Sequence, residues 1–315
     1  MLSRSTLCRL QGGAGGALER ACVAPRRNQQ RRRRAATAVP MAAAGGGAGR
    51  VIALDFDGVV CDSVGESSLS AFKAAALKWP EIFATPEAEA AKPRLVEQMR
   101  AVRPVVETGY ENVVQIRALY EGTGVEEMLA GWHAGMLAGM MERWQLDRGE
   151  LVTLFGRVRD EWIAADLPGW LAPNRIYPGV ADAVKASLAG GDEVYVVTTK
   201  QARFTHTLLR DMAGVDLPAD RIHSTTVSGE PKSRVLARLA AQHAGAGGYV
   251  FVEDKYSTLE KVIAAPETAG KWDLYLVDWG YNTPDERAAA AASPNIRLIG
   301  VGEFAKLMAG GGAAR

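Results

Sequence analysis

Four short apolar runs, each closed by residues that can bind or react, constrain this chain more than any other feature. Residues 51–54 (Val-Ile-Ala-Leu) stop at Asp55-Phe56-Asp57-Gly58, and residues 193–197 stop at Thr198-Thr199-Lys200. Residues 249–252 stop at Glu253-Asp254, and residues 272–277 at Asp278-Trp279-Gly280. Their length, β-branched content and polar stops predict buried strands. Residues 221–223 and 296–299 are shorter candidates. Helical patterns over 180–188, 204–212, 232–242 and 259–265 lie between them. Strands alternating with helices of this length predict an α/β fold, a parallel sheet with helices on both faces. Two covered faces also explain strands that are apolar throughout. Ligands of such sheets collect at the carboxyl ends of the strands. Here those ends carry Asp55, Asp57, Thr198, Glu253 and Asp254.

The stretch 64–172 breaks the rhythm, with helical patterns near 66–78, 93–102, 111–121, 125–141 and 148–163 and no strand. It reads as an α-helical insertion placed between the first and second strands of the sheet. The predicted organisation is a leader over 1–49, a core over 50–63 and 173–310, and the insertion over 64–172. The Met and Trp residues near 128–144, and His133 beside Trp132, are expected to be core of that insertion.

A net charge of +1 hides an uneven distribution. Residues 1–50 hold ten arginines and one acid, Glu19, which leaves residues 51–315 at about −8. An acidic body argues against nucleic acid as a partner, because phosphate-backbone binding needs clustered Lys and Arg. No apolar run is long enough for a membrane span. The Arg-rich, acid-poor leader reads as an organellar transit peptide, chloroplast first and mitochondrion second, with cleavage near residues 39–43. A nuclear-localisation patch or a basic arm is the alternative. Of three cysteines only Cys61 lies in the body, which fits a reducing compartment.

Asp55 and Asp57 are two carboxylates one residue apart, in a turn after a buried strand. A carboxylate can attack phosphorus, but substrate phosphate repels it unless a cation intervenes. Mg²⁺ takes one or two carboxylates with phosphate oxygens and waters, and Asp55 and Asp254 could supply them. Asp57 could protonate the leaving oxygen and later deprotonate water. Gly58 would let the backbone approach the phosphate. Thr198 offers a hydroxyl and Lys232 an ammonium at a helix start, the donor and counter-charge that phosphoryl transfer needs. Each has a bland reading as a cap, a strand end or a solvated lysine. Their convergence on the strand ends of one sheet favours chemistry.

The run Asp55-Phe56-Asp57-Gly58-Val59-Val60-Cys61-Asp62-Ser63 resembles the first motif of the haloacid-dehalogenase superfamily, in particular its phosphoglycolate phosphatase-like branch. Tyr177-Pro178-Gly179-Val180 resembles the segment before the second motif, and Val196-Val197-Thr198-Thr199-Lys200 the motif itself. Lys232 matches the third, Val252-Glu253-Asp254 the fourth, and residues 277–281 the segment after the next strand. The resemblance spans about residues 51–307 and implies a Rossmann-like core with a helical cap. It implies Asp55 as nucleophile and Mg²⁺ ligand, with Asp57 as general acid/base that also binds the metal through its backbone carbonyl. Thr198, with the adjoining Thr199, would bind the phosphoryl group, Lys232 would stabilise its charge, and Asp254 would hold Mg²⁺. An aspartate at position 57 favours phosphate over carbon–halogen chemistry.

Two positions depart from the motif. Thr258 stands where many members carry a second acid, and Glu253 where glycine or aspartate is usual. Glu253 is expected to take over that duty and to belong to the metal site, orienting a metal-bound water or Lys232. Within the cap, Arg103, Glu107, Tyr110 and Asn112 cluster around a proline and a glycine and are the expected substrate contacts. The implied activity is Mg²⁺-dependent hydrolysis of a small phosphorylated metabolite, of phosphoglycolate or sugar phosphate type. A phosphomutase, or a non-catalytic binding or assembly protein on the same fold, is the alternative.

Overall fold

The first strand of the chain becomes the middle of the sheet. In the computed structural model, which describes residues 49–310, β1 (Val51–Leu54) leads through a tight turn to β2 (Cys61–Asp62). Eight helices follow: α1 (Val64–Lys78), α2 (Pro80–Phe83), α3 (Pro86–Val102), α4 (Glu111–Tyr120), α5 (Val125–Gly131), α6 (Leu137–Arg143), α7 (Arg148–Ala165) and α8 (Leu167–Leu171). The chain returns through β3 (Arg175–Ile176), which pairs antiparallel with β2. Then come α9 (Val180–Ala189), β4 (Glu193–Thr198), α10 (Ala202–Leu208), β5 (Ile222–Ser224), α11 (Thr225–Ser228), α12 (Lys232–Gln242) and β6 (Tyr249–Glu253). The described part ends with α13 (Tyr256–Ala264), β7 (Asp273–Val277), α14 (Pro284–Ala292), β8 (Ile296–Ile299) and α15 (Val301–Met308).

The main sheet has the order β5-β4-β1-β6-β7-β8, every pair parallel. Successive side chains of a strand point to opposite faces. Ile52, Leu54, Val196, Val252 and Val277 therefore join one apolar cluster with Val180, Phe204 and Phe304 from α9, α10 and α15. Val51, Ala53, Val197, Phe251 and Leu276 join another with Val235, Leu259 and Ala290 from α12, α13 and α14. Both faces are dry, so the strands needed no polar alternation.

The inserted helices have an apolar core of their own, built on Phe72, Phe83, Leu95, Ile116, Met128 and Trp132. Pro93 was expected to open a helix, but α3 begins at Pro86, with Thr85 Oγ1 accepting the Ala88 N–H at 3.2 Å. Burial of Leu95 and Met99, which share one face of α3, in that core offsets the bond Pro93 cannot donate. The single helix expected over 125–141 is broken by a wider turn, Trp132–Met136, in which Gly135 has φ +117°. His133 is corrected from core to exposed, because one step along a helix rotates a side chain by ~100° away from the buried Trp132.

Residues 1–48, and with them the expected leader, Cys8 and Cys22, lie outside the described residues. Among the described residues Cys61 is a buried free thiol, and no helix is long and apolar enough to cross a membrane.

Candidate active site

The carboxyl ends of β1, β4 and β6 converge, as parallel packing requires, and their side chains meet over a cavity of about 220 Å³. Asp55 extends the ladder by one residue, its N–H donating to Val252 O at 2.9 Å. The chain then turns back within six residues, Val60 N and Cys61 N both donating to Phe56 O. Gly58, at φ +89°, makes that turn possible.

Three acids cluster at the floor. Asp55, Glu253 and Asp254 each bring a carboxylate oxygen within 4.8 Å of the other two. Asp55 is almost fully buried. Burial pushes its pKa up to about 6, with Asp254 and Asp57 adding to the rise against Lys232. Lys232, the first residue of α12, donates from Nζ to Asp55 Oδ1 and Glu253 Oε2, both at 2.7 Å. Glu253 is wholly committed, because its Oε1 accepts the N–H groups of Asp254 and Lys255 at 3.1 Å each. Burial, Asp55 and Asp254 hold Glu253 well above the carboxylate range against the pull of Lys232. Asp254 is oriented by Tyr281 N, which donates to Oδ2 at 2.8 Å, while Asn282 Nδ2 ties the Asp254 carbonyl at 2.9 Å.

Asp57 brings no side-chain oxygen to that cluster. Its Oδ1 accepts from Ser63 Oγ at 2.6 Å and from Lys200 Nζ at 3.1 Å. Burial raises its pKa, yet Lys200, Arg103 and the Ser63 bond together hold it below the usual value. Thr198 is fully buried, its Oγ1 accepting the Lys200 N–H at 3.1 Å, and it is Thr199 that lines the cavity. Thr199 is the first residue beyond β4, where the chain bends over the cavity.

The inserted helices supply the roof. Arg103 is buried, stacks on the Tyr281 ring at 4.1 Å, and donates from Nη1 to Val106 O at 3.3 Å. Its Nε has no hydrogen-bond partner among the described residues. Arg103, Val106, Glu107, Thr199 and Asp57 line both the main cavity and a narrower lobe. Tyr110 and Asn112 line that lobe with Gln201, and Asn112 Oδ1 and Gln201 Oε1 likewise have no partner among the described residues. Glu107 stands at the mouth, half-exposed and 3.3 Å from Lys261. Lys255 reaches the roof from the core, Nζ donating to Pro104 O.

Ser63, Lys200 and Tyr281 lie inside the quoted motifs but were given no role from the sequence, and Lys255 was not singled out. Lys200 was in plain view after Thr198-Thr199, but nothing local ties it to Asp57, 143 residues away.

No family model matches the chain, and no curated protein matches it by sequence. Solved structures do match. One described as a predicted phosphatase from Clostridium acetobutylicum has a TM-score of 0.50 at 15% identity, covering 84% of this chain and 99% of its own. A predicted phosphoglycolate phosphatase from Haemophilus somnus 129pt has a TM-score of 0.50 at 19% identity, covering 82% and 96%. A haloacid dehalogenase-like family hydrolase from Streptococcus pneumoniae is also similar, at 0.44 and 14% identity over 80% and 95%. The first two likenesses establish the fold: this chain has the α/β architecture of structures described as phosphatases.

Proposed function

We propose that the protein is a Mg²⁺-dependent phosphohydrolase acting on a small, polar phosphomonoester through a phosphoaspartate on Asp55. The observation that carries this is the Asp55–Lys232–Glu253 arrangement beside Asp254. A buried carboxylate at a strand end is backed by an ammonium and adjoins a second acid.

The donor set fits a hard divalent cation, since Asp55 and Asp254 offer carboxylate oxygens in a buried pocket and no sulfur or imidazole. When bound, Mg²⁺ neutralises charge between the carboxylates and the phosphoryl oxygens. An oxygen of Asp55 bonds to phosphorus as the ester P–O bond breaks, its electron pair leaving on the ester oxygen. The negative charge of the bound phosphate favours the protonated form of Asp57 against Lys200 and Arg103, and that carboxyl gives the oxygen its proton. It then takes one from water, whose oxygen attacks phosphorus and returns the electron pair of the acyl-phosphate bond to Asp55. Lys232 balances the charge on the phosphoryl oxygens, and Glu253 holds Lys232 in place.

The alcohol part of the ester has the narrower lobe, where Arg103 Nε, Asn112 Oδ1 and Gln201 Oε1 want hydrogen-bond partners. Buried polar atoms left unpaired cost about 1–3 kcal/mol each, so a polar leaving group is favoured over an apolar one. This is consistent with an ester of phosphoglycolate or sugar phosphate type.

The test is phosphate release from a panel of phosphomonoesters by residues 49–315, with and without Mg²⁺, beside an Asp55→Asn control. Mg²⁺-dependent release that is lost in the control supports the reading. Release from no ester, or release that survives Asp55→Asn, removes it.

A further inference from the structure

The first inserted helix carries an acid that the proposed chemistry leaves unused. Glu66 has no exposed surface, and a carboxylate survives there only with its oxygens engaged. Arg159 of α7 donates two bonds, Nε to Oε1 and Nη2 to Oε2, both at 2.7 Å. Ser70 Oγ at 2.6 Å and Trp170 Nε1 at 3.0 Å also donate to Oε1. Oε2 faces Lys200 Nζ at 3.8 Å. The same Nζ reaches the two Asp57 oxygens at 3.1 and 3.4 Å.

Two acids and two bases thus form one network, with Glu66, Arg159 and Lys200 buried and Asp57 partly exposed at its cavity end. Glu66, Arg159 and Trp170 come from the inserted helices, whereas Lys200 and Asp57 come from the core loops after β4 and β1. The two-pronged Arg159 contact is enough to join α1 to α7. Joining helices does not call for a lysine of the core to lie between Glu66 and Asp57.

We propose that Glu66, clamped by Arg159, is a positioning residue. It holds the Lys200 ammonium against Asp57, so that the Asp57 carboxyl keeps the orientation in which it passes a proton to the ester oxygen. The inference rests on the phosphohydrolase reading. Its consequence is selective: a loosened Asp57 slows esters whose departing oxygen needs that proton and spares esters whose oxygen leaves as a stable anion.

The experiment compares phenyl phosphate with p-nitrophenyl phosphate, esters of similar shape whose leaving groups differ in basicity. The quantity read is kcat/KM, which reports transfer to Asp55 rather than the later hydrolysis. Glu66→Gln is expected to lower it for phenyl phosphate by about tenfold or more, and for p-nitrophenyl phosphate by less than about threefold. The ratio of the two does not depend on how much of the sample is folded. A second variant, Glu66→Gln with Arg159→Met, replaces the ion pair by neutral side chains of similar size and is expected to change the ratio equally. Equal losses on both esters, or no loss, overturn the inference and leave Glu66 as a tie between α1 and α7. If the parent protein itself releases phosphate from neither ester with Mg²⁺, the phosphohydrolase reading falls and the inference with it. That failure shows in the parent and not in the variants.

Discussion

Gly58 and Asp254 share one small volume: a β-carbon added to Gly58 would lie 2.5 Å from Cγ of Asp254. The turn after β1 therefore approaches the proposed metal ligand as closely as hydrogen at that position allows. Gly58→Ala is expected to displace the Asp254 carboxylate and strain a backbone at φ +89°. Mg²⁺ affinity, measured by calorimetric titration, should fall by about tenfold or more, since a ligand displaced from its geometry binds poorly. Parent-like affinity in Gly58→Ala would remove Asp254 from the ligand set.

Glu253 and Asp254 are neighbours given different duties. Both Glu253 oxygens are engaged, by Lys232 and by two backbone N–H groups. Glu253→Gln is expected to lower kcat by about tenfold, the order of one weakened charge-assisted contact, with Mg²⁺ affinity changed less than about twofold. Asp254→Asn should do the reverse, weakening Mg²⁺ binding first. A Glu253→Gln variant that loses Mg²⁺ affinity as steeply as Asp254→Asn would place Glu253 on the metal.

Protons and Mg²⁺ should compete for Asp55. With its folded pKa pushed up to about 6, the proton is favoured in the metal-free fold. That contribution to stability is fully present at low pH and is lost as pH rises through about 6. Mg²⁺ favours the ionised form, so its stabilising effect runs the other way. Below about pH 6 apparent affinity should fall by about tenfold per pH unit, because the ligand must be deprotonated. Thermal shifts on adding Mg²⁺ should be large at pH 7.5 and small at pH 5, and equal shifts at both would contradict the assignment.

Tyr281 is a structural hub beneath the roof. Its hydroxyl donates to Asp62 Oδ1 at 2.7 Å and accepts the N–H groups of Ser63 at 2.8 Å and Val64 at 3.2 Å. Tyr281→Phe keeps the ring under Arg103 but leaves the buried Ser63 N–H unpaired. Denaturant unfolding should show a loss of about 1–3 kcal/mol. An unchanged midpoint would mean that another group satisfies that N–H.

Arg103 can be tested through the alcohol part of the ester. Arg103→Met should raise KM for polar alkyl esters by about tenfold, the order of one lost charge-assisted hydrogen bond. KM for p-nitrophenyl phosphate should move less. Equal changes in both would take Arg103 off the leaving-group lobe.

The sheet was legible because each strand announces itself locally. An apolar run of four to six residues bounded by polar stops has few other solutions, so β1, β4, β6, β7 and β8 were found close to their observed limits. Asp55, Asp57, Lys232, Glu253 and Asp254 were legible for the same reason, since each sits at or just after a strand end or at a helix start. The two-residue strands β2 and β3 were not, because a run that short carries no periodicity. Helix α14 was missed although Thr283 and Glu286 form its capping box, a signal present in the sequence and not used.

What the sequence determined by itself is thus the α/β class and the acids at the ends of its strands, since both follow from patterns a few residues long. What only the tertiary structure decided is which partner each charge has. Glu66 lies 93 residues from Arg159, Lys200 143 from Asp57, and Lys232 177 from Asp55. Pairings at such separations are set by how the sheet and the inserted helices pack. It is those pairings that give Asp57 its lysine, commit Glu253 to Lys232, and leave Arg103 Nε without a partner among the described residues.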